Sequence, residues 1–89
     1  MANSKLITYD LIAPGKNYND LYAYLKSLPG WTRICESVWL TTSTESCVSI
    51  RDKLNTLVDS NDRVFVATLT GEAAWHNVLC DNEVLKTNL

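Results

Sequence analysis

An α+β sandwich is the fold class this chain predicts, on three observations. Short apolar runs with strand alternation interleave with amphipathic stretches of helical period, and turn residues separate them. Hydrophobic residues make up 46% and charged residues 20%, the balance of a folded domain. The length, 89 residues, allows one small domain spanning 1–89.

The first strand is expected over Lys5–Leu11, with Ile7, Tyr9 and Leu11 on one face and Leu6, Thr8 and Asp10 on the other. Both faces carry apolar groups near its start, as in a central strand covered on both sides. The turn-like Ala13-Pro14-Gly15-Lys16 stops it. A helix follows over Tyr18–Leu28, where Tyr18, Leu21, Tyr22, Leu25 and Leu28 form one stripe. Asn17 is its expected N-cap, and Pro29-Gly30 ends it.

Residues 31–42 are rich in β-branched and aromatic side chains. Cys35-Glu36 in their middle reads as a kink, a bulge or a tight turn between two strands. A second helix is expected over Glu45–Val58, capped by Thr44, with Cys47, Ile50, Leu54, Leu57 and Val58 as its inner stripe. A strand over Arg63–Thr70 places Phe65, Ala67 and Leu69 opposite Val64, Val66 and Thr68. The tail, 71–89, is ambiguous. Glu72-Ala73-Ala74-Trp75 could begin a helical turn, Glu83-Val84-Leu85-Lys86 could be a short edge strand, and the tail could exchange between partners of a dimer. Trp31 and Trp75 are expected to seal the ends of the core.

The order β, α, β(β), α, β predicts a ferredoxin-like βαββαβ sandwich, an antiparallel sheet with two helices on one face. The other face is expected to carry Leu6, Thr8 and Trp39, too apolar to leave wet. That invites a partner, most simply a second copy related by a two-fold axis.

A formal charge of -2 argues against a broad basic footprint for duplex nucleic acid, although Lys16, Lys26, Arg33, Arg51, Lys53 and Arg63 could cluster locally. No apolar run is long enough for a membrane span, and Met1–Lys5 does not read as a secretory signal, so a cytoplasmic location without membrane partners is expected. Three cysteines without a CxxC pair predict buried, reduced thiols.

Three landmarks then stand out in order: Tyr9-Asp10-Leu11, Arg33-Ile34-Cys35-Glu36-Ser37-Val38-Trp39 and Asp62-Arg63-Val64-Phe65-Val66. Together they resemble the CRISPR-associated protein two family, which is akin to the virulence-associated protein D toxins. The match covers roughly residues 5–70. The resemblance implies a ferredoxin-like homodimer in which Asp10 meets its symmetry mate and holds Mg²⁺ or Mn²⁺. It implies either a metal-dependent nuclease acting on RNA or DNA or a non-catalytic assembly dimer. The acidic balance, the loop Ala13-Pro14-Gly15 and the tail Gly71–His76 fit an orphan relative better than an integration-type member.

The candidate site follows. Two facing Asp10 carboxylates would repel, and a divalent cation would relieve that repulsion and activate a water. The competing role for Asp10 is to cap the turn that follows it. Ser37 could orient a water or phosphate beside Asp10 if its strand neighbours the first, or could bond locally at a strand bend. Tyr9 and Trp39 could stack a base and Arg33 could contact a phosphate. Core packing for the two rings, and solvation or ion pairing for the guanidinium, are the plainer alternatives. His76, the only histidine, could act as a base or ligand, or be incidental. The alternative to a nuclease is a non-catalytic homodimeric module that binds a protein or a small nucleotide in regulation or defence.

Overall fold

Alternation along the first strand sets the two faces of the sheet. The computed structural model describes residues 4–12 and 18–89. Its elements in order are β1 (Lys5–Asp10), α1 (Asn19–Ser27), β2 (Thr32–Cys35), β3 (Val38–Thr41), α2 (Cys47–Asn55), β4 (Arg63–Thr68) and α3 (Asn82–Asn88). The four strands form one antiparallel sheet in the order β2-β3-β1-β4, so β1 and β3 are central and β4 and β2 lie at the edges. The turn Ala13–Lys16 and the cap Asn17 lie outside the described residues.

One face of the sheet meets α1 and α2. Ile7 pairs with Trp39 on one side and Val66 on the other, and Tyr9 pairs with Val64, so these side chains share that face. They pack with Leu21, Leu25 and Leu28 around α1 and with Ile50 and Leu54 of α2 to form the core. The two helical stripes are therefore as expected, although both helices are shorter at each end. The hydroxyl of Ser46, rather than Thr44, caps α2 by accepting from the Ser49 N–H at 3.0 Å. Thr44 is displaced because Ser43 Oγ already accepts from the Glu45 N–H at 3.1 Å, which holds the preceding residues in a turn of their own.

Trp39 corrects the expected face assignment. It lies on the helix face, 1% exposed, and the opposite face carries Leu6, Thr8 and Leu40 instead. Local alternation gives the phase within a strand, but the pairing gives the phase between strands. Here that pairing is set by the tight Glu36-Ser37 turn and by the register shift between Arg33 and Cys35.

The tail corrects a second expectation. Glu83–Lys86 belongs to α3, not to an edge strand, and Glu72–Trp75 is not helical. Asp81 caps α3 by accepting from the Glu83 N–H at 3.1 Å. Leu85 is fully buried, and it and Leu40 are the two buried apolar residues outside the helix-side cluster. The tail is tied to the sheet at both ends of its path. Leu79 N–H donates to the Ile34 carbonyl at 2.9 Å, and Ser4 Oγ donates to the Asn88 carbonyl. The second face was expected to be covered by a partner; the tail meets the sheet at β2 and just before β1.

None of the three thiols is fully buried: Cys35 is exposed and Cys47 and Cys80 are half-buried, contrary to expectation. Trp31 is 42% exposed, with its ring centroid 5.6 Å from that of Trp39, and Trp75 donates to Asn82 Oδ1 at 3.0 Å. No helix among the described residues is long and apolar enough to cross a membrane.

Candidate functional site

The end of the sheet where β1 leaves the core is shaped by a single carboxylate. Asp62, just before β4, accepts from the Ile12 N–H at 2.6 Å, the Tyr18 hydroxyl at 2.8 Å and the Asp59 N–H at 2.8 Å. It ties the exit of β1 to the start of α1 and to the α2–β4 loop. Asp10 is the last residue of β1, two residues before Ile12.

Asp10 is exposed and lies directly across from Arg63 in the β1–β4 register. The Arg63 Nη1 is 3.9 Å from its Oδ2, with both side chains largely in solvent, so the pair contributes no more than about 1 kcal/mol.

On the other side, β3 does neighbour β1, and this brings Ser37 to the same place. The Tyr9 N–H donates to the Ser37 carbonyl at 3.3 Å, fixing the hairpin turn against the end of β1. Asp10, Glu36 and Ser37 then line one hollow of about 260 Å³, with Tyr9, Leu11 and Tyr22 as its other walls. Residues 10 and 37 are far apart in the chain and converge here. Glu36 is the member that sequence reasoning missed as a site residue. It was legible in principle, because any turn that carries Ser37 to Asp10 carries Glu36 with it.

The proposed nucleic-acid contacts fare differently. Tyr9, 4% exposed, and Trp39 are core residues, and the Trp39 Nε1–H donates to the Tyr9 hydroxyl at 2.9 Å. Burial pushes the Tyr9 phenol above its ordinary pKa, opposed by that hydrogen bond and by the charge of Arg33. Both rings are buried in the helix-side core. Arg33 donates twice to the Glu36 carbonyl, at 3.0 and 2.5 Å from Nε and Nη2, and stacks within 5.4 Å of the Tyr22 ring centroid and 5.1 Å of that of Trp39. Its planar fork braces the turn that carries Glu36 and Ser37. His76 is exposed in the tail segment before α3.

Chemically, the residues lining the hollow include two that bear carboxylates and one that bears a hydroxyl, all hard oxygen donors. Such donors suit Mg²⁺ or Mn²⁺. Among the described residues no group of three or more histidine, cysteine, aspartate or glutamate side chains is placed to hold a metal. No family model, no curated protein and no solved structure matches the chain.

Proposed function

We propose that the protein is a ferredoxin-like, divalent-cation-dependent phosphodiester hydrolase acting on RNA or DNA in the cytoplasm, with Asp10 as metal ligand and Ser37 in support. The observation that carries this reading is the convergence of Asp10 with Glu36 and Ser37 on one hollow, from two separate strand ends. The order β2-β3-β1-β4, with α1 and α2 packed on one sheet face, supports the ferredoxin-like part.

A divalent ion bound at these donors would polarise a phosphoryl oxygen and lower the pKa of a coordinated water. The chain's own contribution is to supply charge and orientation. Asp10 gives a solvent-exposed carboxylate. Glu36, which lines the same hollow, would offer a second carboxylate within the same protomer. The homodimer that the resemblance implies is then a separate question from cation binding. Ser37, held by its main chain, is placed to orient a phosphate oxygen or a water.

The test is cleavage of end-labelled single-stranded RNA and DNA with Mg²⁺, with Mn²⁺ and with EDTA, by the wild type and Asp10→Asn. Cleavage should need the metal and fall by at least the ~10–100-fold that loss of even an outer-shell partner costs a metal site. Unaltered cleavage by Asp10→Asn would defeat the assignment.

A second reading, a non-catalytic module binding a protein or a nucleotide, draws on the burial of Tyr9 and Trp39 and the engagement of Arg33. Failure of the wild type to cut any substrate would favour it.

A further inference from the structure

The face of the sheet opposite α1 and α2 carries an aromatic ring that the core does not use. Phe65 sits on the edge strand β4 and is 60% exposed. Across from it in register is Thr8, and two residues along, on the same face, Arg63 lies across from Asp10. Thr8, Asp10, Arg63 and Phe65 line a hollow of about 280 Å³ that shares Asp10 with the site described above. A ring, a guanidinium and a hydroxyl thus surround one flank of the candidate catalytic carboxylate.

We propose that this hollow is the nucleotide subsite of the protein, where one unit of a single-stranded nucleic acid stacks its base on Phe65 and sets its phosphate against Arg63. It rests on the reading of Asp10 as part of a phosphodiester site, and it names what lies beside that site. The chemistry fits each group. An exposed aromatic ring on a sheet face gives a platform for any base. Among the described residues Arg63 is held by a loose, solvated contact to Asp10, which leaves guanidinium donors for a phosphate. Duplex bases, stacked on both faces, could not reach the ring, so the substrate is single-stranded. A second copy pairing along the open edge of β4 is the competing occupant. The guanidinium placed beside the ring favours an anionic nucleotide over a purely apolar contact.

The experiment is fluorescence anisotropy with short fluorescein-labelled oligouridylate and oligothymidylate at low salt in EDTA, which removes catalysis. Wild type, Phe65→Ala, Phe65→Trp, Arg63→Ala, Asp10→Asn and a Val48→Ala control are compared. Phe65→Ala should weaken binding ~10-fold or more, as loss of a stacked base does. Phe65→Trp should restore binding, its indole emission quenched by the oligonucleotide. Arg63→Ala should weaken binding and flatten its salt dependence, whereas Val48→Ala should match the wild type. Equal binding by wild type and Phe65→Ala would overturn the subsite. So would light scattering showing a dimer that Phe65→Ala dissolves. Retained, Phe65-dependent binding by Asp10→Asn together with no cleavage by the wild type would sink the hydrolase reading while leaving the subsite in place.

Discussion

Tyr9 shows how one residue serves the core and borders the site at once. Its ring fills the space between the helices and the sheet, and its hydroxyl accepts the only hydrogen that the buried Trp39 indole can donate. Replacing Tyr9 with Phe keeps the ring and orphans that N–H, so stability should fall by about 1–3 kcal/mol in urea unfolding. The pH dependence has a definite sign. The phenol is pushed up in the folded state, so the folded chain holds its proton more tightly than the unfolded chain. That contribution is complete below about pH 10, the unfolded value, and is lost as pH rises through the folded one. Melting temperatures taken from neutral to strongly alkaline pH should therefore fall at the alkaline end, less steeply for Tyr9→Phe than for the wild type. At this scale Asp10 was readable from sequence, since a carboxylate ending an apolar strand must face solvent or a partner. Its approach to Ser37 was readable on the condition that their strands adjoin. Phe65 was not, because an aromatic within an apolar run looks like core until the strand is known to lie at an edge.

The connection from α1 into β2 shows the constraints among elements. Gly30 has a positive φ of 60°, and a Cβ there would strike the hydroxyl and, at 2.9 Å, the methyl of Thr42. The Pro29 carbonyl beside it accepts from the Thr42 N–H at 3.0 Å and the Thr41 hydroxyl at 2.6 Å, so the loop cannot simply retreat. Gly30→Ala should destabilise by more than the ~1 kcal/mol of an ordinary left-handed substitution, as read from the denaturation midpoint. The helices and strands around this loop were legible because their periods of 3.6 and 2 extend over several residues. The tail was not, because Glu83–Lys86 is too short to separate the two periods. What decides it is the Asp81 cap and burial of Leu85 against the rest of the molecule. Leu85→Ala should cost about 2–5 kcal/mol if that burial anchors α3 as described, measured by the same unfolding curves.

The whole molecule turns on where the sheet is covered. α1 and α2 cover one face, while on the other face Leu40 is buried and Phe65 is exposed. The strand order was beyond local pattern, because register between strands depends on turns and on the shift in β2. That same order carries the site: β1 beside β3 brings Asp10 to Glu36 and Ser37. A cation held within one protomer should bind with an affinity independent of protein concentration, whereas one shared by two Asp10 residues across an axis should bind more tightly as concentration rises. The most direct measurement is an NMR titration with Mn²⁺, whose paramagnetism broadens nearby amide signals. Selective broadening of Asp10, Glu36 and Ser37, abolished by Asp10→Asn, is the result this account requires. Broadening centred elsewhere, or unchanged by that substitution, would contradict it.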